Sequence, residues 1–111
     1  MQSGERNDLV TFERLVTEPD DMGGQSNATW WTIGQAWAAV KWIGGGDGER
    51  DGAIRSSARY RFTVPSVDAD AAAVSPNDRI MWNGEPYAIR EQPRRLRTSP
   101  ETEIVAETGV M

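Results

Sequence analysis

The dipeptide Asn83-Gly84 constrains this chain more than any other pair of residues in it. Both residue types tolerate positive φ, which the tight primed turn of a two-residue β-hairpin demands. The flanks agree with that reading. Ser75-Pro76-Asn77-Asp78 is turn chemistry, Arg79–Trp82 reads as a short strand, and Glu85–Arg90 returns along it. In this register Ile80 and Trp82 share one face, and Tyr87 and Ile89 share a face on the return strand. Pro86 has no N–H, so its side of the hairpin is expected at a strand start or an unpaired edge.

Other segments carry the same period of two. Leu9–Val16 is rich in β-formers, with Val10, Phe12 and Val16 on one side. Arg59–Val64 alternates most cleanly, with Tyr60, Phe62 and Val64 opposite Arg59, Arg61 and Thr63. That separation keeps its arginines and aromatics from acting together on a nucleic acid. Thr102–Glu107 reads as a last strand with Ile104 and Val105 on opposite faces. Thr29–Ile43 is the longest apolar stretch; its alanines suit a helix, but Ala36–Ile43 is short, follows Gly34 and ends at a glycine run, which favours a strand. Between strands, Pro65–Val74 suits a helical turn with Ser66 or Asp68 as N-cap, and Gln92–Pro100 reads as a connection. Gly44–Ser57 reads as a long flexible loop. The expected fold is therefore all-β, a small barrel of about six strands in a single domain spanning 1–111. A long loop separates the second and third strands, and there is one short helical turn.

Composition excludes several functions. With no Cys and no His among 111 residues, thiolate chemistry, disulfides, imidazole bases and the usual transition-metal ligands are absent. A net charge of −5 argues against a sequence-independent grip on nucleic acid, which needs a positive footprint, although a negative wall would let DNA slide past. The opening MQSGERND is polar and is expected to be neither a signal nor a transit peptide. Glu13, Glu18, Asp20 and Asp21 offer hard oxygen ligands but lack the alternating spacing of a calcium loop. Gly44–Gly48 imitates a phosphate loop, yet no Lys-Ser/Thr pair follows. The scattered loop carboxylates form no acid–base pair, so no catalytic residue, metal site or cofactor is expected.

The order of these features resembles the small head-completion proteins of long-tailed bacteriophages, the head–tail connector or stopper subunits. The match runs through Leu9–Arg14, Asp21-Met22-Gly23-Gly24, Trp30 and Trp37-Ala38-Ala39-Val40. It continues through Tyr60-Arg61-Phe62, Pro76–Ile80 and Gly84-Glu85-Pro86-Tyr87-Ala88-Ile89. The glycine-rich stretch after Ile43 and the basic cluster of Arg94, Arg95 and Arg97 depart from the pattern.

The resemblance implies a structural virion protein, made in the bacterial host, that rings the head–tail junction of a phage or phage-like particle. Such a ring closes the DNA-filled head below the portal and adaptor and offers the tail its platform. Its partners would be copies of itself, with six favoured over twelve, the adaptor or portal-side protein, a tail-terminator or tail-tube protein, and double-stranded DNA passing without sequence-specific contact. By position, the channel loop would comprise Gly44, Gly45, Gly46, Asp47, Gly48, Glu49, Arg50, Asp51, Gly52 and Arg55. A small barrel has little room for five tryptophans, and a ring subunit must bury surface on two sides. Trp30, Trp31 and Trp42, with Arg94 and Arg95, are the candidate interface residues. The competing reading is a small barrel that binds sugar or single-stranded nucleic acid on exposed tryptophans.

Overall fold

The computed structural model describes residues 6–19, 26–50 and 53–108, with side chains over 6–17, 28–44 and 58–108. The strands are β1 (Asp8–Pro19), β2 (Ser26–Arg50), β3 (Ala53–Pro65), β4 (Asp78–Trp82), β5 (Glu85–Ile89), β6 (Arg94–Arg95) and β7 (Glu101–Thr108), with helix α1 (Ser66–Ala72) between β3 and β4. All pairings are antiparallel, in the order β3-β2-β1-β4-β5-β7-β6, and a further β3–β7 pairing closes six of the strands into a barrel. The two-residue β6 lies outside that ring, along β7, within the stretch expected to be only a connection.

Alternation fills the barrel from all six walls. Val10, Phe12, Phe62, Val64, Ile80, Ile89 and Ile104 are fully buried. Each such side chain contributes about 1.5–3 kcal/mol of transfer free energy. Trp82 and Tyr87 face inward from the central hairpin as its register requires. They meet Tyr60 and Phe62 edge-on, with ring centroids 5.1–5.8 Å apart for the Tyr60–Trp82, Tyr60–Tyr87, Phe62–Trp82 and Phe62–Tyr87 pairs. The indole N–H of Trp82 donates to Asp8 Oδ1 at 3.2 Å, so the ring is packed without stranding its polar atom. Asn83 and Gly84 have φ of 53° and 78°, both in the left-handed region the turn was expected to need.

Two bulges organise β2. Ile33 is the extra residue where Phe12 pairs with Gly34 but Glu13 pairs with Thr32, and Ile43 is extra where Trp42 pairs with Tyr60 but Gly44 with Arg59. A bulge bends and twists its strand, so only the middle third of β2 need follow the barrel wall. Gly34 also allows α1 to close in: a Cβ there would lie 2.9 Å from Ala72 Cβ.

Three expectations are corrected. Gly44–Ser57 is not a loop, because the β2–β3 ladder continues to the Arg50–Ala53 pair as a two-stranded ribbon; Asp51 and Gly52 lie outside the described residues. Pairing satisfies backbone groups that glycine composition alone suggested were free. The helix is two turns rather than one, and neither Ser66 nor Asp68 caps it. The cap position is Pro65, without a side-chain bond, and the Ser66 hydroxyl instead shares a 2.8 Å hydrogen bond with the Thr102 hydroxyl. β1 also continues to Pro19, beyond the Leu9–Val16 stretch read as its strand.

Candidate functional site

Among the described residues, the barrel leaves two ribbons whose strands have no third neighbour. Beyond Arg14, β1 pairs only with β2, since β4 matches Thr11–Arg14 alone. At the other end of β2, β3 before Ala58 pairs, among the described residues, with β2 alone, since the β7 pairing ends at the Ala58–Thr108 pair. Of the expected channel residues, Gly44–Arg50 and Arg55 have their backbones in this second ribbon.

The candidate interface residues fall in three places. Trp31 and Trp42 are exposed, at 51% and 59%. Trp30 is half-buried, with the Arg79 guanidinium 4.0 Å above its ring centroid, while Arg79 Nε also donates to Glu13 Oε1 at 2.8 Å. Trp30 and Arg79 line one side of an open groove of about 370 Å³ that Pro76, Pro86, Arg90 and Glu107 also bound. Arg94 and Arg95 project from β6 on the opposite strand of the sheet order, paired with Glu103 and Asp70. The structure does not gather these five residues into one patch.

Sequence reasoning passed over Leu9 and Trp37. They are register partners on the outer face of β1 and β2, exposed at 46% and 54%. The signal was present: Trp37 sits between Ala36 and Ala38, both buried, and two small inward residues leave the indole no place but outside.

Elsewhere the outer surface is covered by cross-strand ion pairs, among them Arg14–Asp78, Arg79–Glu13, Arg59–Glu107 and Arg90–Glu107. Among the described residues no three acidic side chains are gathered as a metal site would need. Glu13, one of the four considered for calcium, is taken by Arg79; the side chains of Glu18, Asp20 and Asp21 lie outside the described residues.

The phage head completion protein family matches residues 1–109. The chain belongs to this family. A head completion protein is a structural component of the virion at the head–tail junction, and as such associates with other head and tail proteins. Among solved structures, the chain is similar to one from the virion of a native gene transfer agent (GTA) particle, with a TM-score of 0.71, 21% identity and 94% of each chain covered. It is also similar to the phage-like element PBSX protein xkdH from Bacillus subtilis, with a TM-score of 0.50, 12% identity and coverage of 89% of this chain and 90% of the other. These likenesses show that the head completion protein shares its fold with particle proteins. No curated protein matches it.

Proposed function

We propose that this head completion protein acts as a ring of like subunits, six by preference, seated between the portal-side adaptor and the tail. The ring closes the DNA-filled head and gives the tail-terminator or tail-tube protein its platform. Its part is mechanical rather than catalytic, and double-stranded DNA passes through without sequence-specific contact.

The observation that carries this reading is the β2–β3 ribbon. A closed barrel is rigid and has almost no free strand edge, and one long ribbon leaves its wall at Gly44. A rigid body with a projecting two-stranded arm of this length suits an element that reaches into a channel or onto a neighbour. The exposed tryptophans support the ring, because an indole on a wall that makes no enclosed site is best used in a protein contact.

The test is electron microscopy of particles from cells lacking this protein. Filled or leaking heads separate from finished tails are expected, with joining restored by added protein, and removal of residues 45–55 is expected to let DNA escape. Normal tailed particles would overturn the reading and favour a tryptophan-based binding module.

A further inference from the structure

The groove beside Trp30 contains a guanidinium that is already held in place. The Arg79 guanidinium is planar and so has two faces. Trp30 lies against one, its ring centroid 4.0 Å from the guanidinium carbon. Arg79 Nε donates to Glu13 Oε1 at 2.8 Å, which fixes the plane. Arg79 nevertheless lines the groove and stays 23% exposed, so Trp30 does not close it off. The other charges of the lining are spent: Arg90 Nε donates to Glu107 at 3.4 Å, and Asp78 is buried against Arg14. Pro76, Pro86 and Ala88 add flat or small apolar surface. At about 370 Å³ the groove stands at the low end of small-molecule sites, which run from about 300 to 1,000 Å³, and it has room for one large side chain. An uncharged aromatic ring suits it, because a ring stacks on a cation face and no free charge calls for an ion.

Rings of that kind stand exposed on β2, at Trp31, Trp37 and Trp42. Trp31 adjoins Trp30 in the ribbon, and Trp42 borders the Ile43 bulge. Trp37 stands on the closed wall, outward between buried Ala36 and Ala38, with its register partner Leu9 exposed beside it. That wall lies across the barrel from the groove. Around the closed set of six strands β2 and β5 are three steps apart in either direction, so Trp37 faces away from the groove of its own chain. Nor does the wall suit a second copy of itself. Farther along it Lys41 and Arg61 are register partners; among the described residues Lys41 has no ion-pair partner and Arg61 has only Glu103, at 3.9 Å. Two copies set wall to wall would oppose like surplus charge, whereas the groove has no free cation.

We infer that the groove receives Trp37 of a second copy of this chain, with the incoming indole on the face of Arg79 that Trp30 leaves open. This rests on the ring reading above and names the contact that makes the ring. The two surfaces differ and lie on different sides of the barrel, so the contact is heterologous and repeats from copy to copy until the ring closes. A Trp seated in a pocket against an Arg is the composition of an interface anchor.

The absence of cysteine permits a direct test. Ala39→Cys, beside Trp37 on the wall, and Asn77→Cys, on the groove, are introduced singly and together and assembled onto heads lacking the native protein. Their neighbours Ala38 and Asp78 pair with Asp8 and Arg14, which are roughly 20 Å apart along β1. A bifunctional thiol reagent spanning about half of that cannot join the two within one chain. It is expected to give a ladder of linked copies from the double variant and none from either single one. Heads that carry the double variant without a ladder would overturn the inference, whichever other protein then fills the groove. In parallel, Trp37→Leu is expected to lower incorporation about tenfold at unchanged melting temperature, and Trp37→Tyr to recover most of it by restoring a ring. Full incorporation of Trp37→Leu, or a defect confined to DNA retention, would overturn the inference while leaving the ring intact. Heads that take up wild-type protein only as isolated copies would instead remove the ring reading itself.

Discussion

Arg14 and Asp78 form a two-point ion pair, Nε to Oδ1 at 2.9 Å and a terminal guanidinium nitrogen to Oδ2 at 3.0 Å. The same nitrogen donates to the carbonyl of Ala73 at 2.8 Å, where the chain leaves α1 in the left-handed conformation with φ of 52°. Asp78 is itself buried and accepts from the backbone N–H of Ser75 at 2.9 Å. One guanidinium thus joins β1, the end of α1 and the start of β4. The Asp78 hydrogen bond and charge raise the Arg14 pKa above its usual value, so this cation stays charged at any working pH.

Arg14→Ala is expected to destabilise the fold by about 1.5–3 kcal/mol. This is below the cost of breaking a fully buried pair, because Arg14 is partly exposed while Asp78 is left buried without its cation. Arg14→Lys should recover only part, since an ammonium cannot make both bonds and reach Ala73 as well. Denaturant midpoints at unchanged m-value would measure both.

Gly34→Ala places a methyl 2.9 Å from Ala72 Cβ and should cost about 1–3 kcal/mol. The relief is specific. Ala72→Gly in the same chain removes the atom that is struck, so the double variant should lose less than the sum of the single losses. Additive losses would show that Gly34 is needed for the Ile33 bulge rather than for the approach of α1.

Burial, with the Glu85 carboxylate adding to it, pushes the Tyr87 phenol above its ordinary value. The unfolded chain releases that proton near pH 10 and the folded chain keeps it, so the unfolded state binds fewer protons at alkaline pH. The contribution is therefore fully present below about pH 10 and is lost as pH rises through the folded pKa. Tyr87→Phe keeps the ring among Tyr60, Phe62 and Trp82 and removes the phenol. Its melting temperature should fall less steeply above pH 10 than that of the wild type.

Trp31→Ala and Trp42→Ala should leave stability within about 0.5 kcal/mol, as surface substitutions do, yet reduce head completion. Trp30→Ala should add a stability loss of about 0.5–1 kcal/mol from its Arg79 contact. Complementation of deficient heads, beside thermal melts, separates the two effects. Normal assembly of the Trp30 and Trp31 variants on adaptor-bearing heads would show that these indoles are not interface residues.

Local chemistry made much of the barrel legible. The central hairpin, its turn at Asn83-Gly84, and the inward faces of β3, β4, β5 and β7 stand where a period of two and turn preferences put them, as do Val10 and Phe12 of β1, whereas Val16 lies in the ribbon beyond the wall and outside the core. Those signals depend on a residue and its near neighbours, so they can be read without the fold. The ribbon at Gly44 reads locally as a loop because glycine lowers strand preference, whereas its pairing is inherited from β2 and β3 already aligned in the wall. The helix cap failed for a related reason: Ser66 found a buried partner in Thr102, 36 residues away, that no local rule contains.

The sequence by itself determined the class of fold, the absence of imidazole and thiol chemistry, and the run of features that resembles head completion proteins. Tertiary structure decided which of its tryptophans face solvent and which carboxylates have cations. It also decided where two ribbons leave the wall, through the bulges at Ile33 and Ile43 and the β3–β7 closure. Exposure and ion pairing are properties of strands distant in the chain and adjacent in space, so only closing the barrel assigns them.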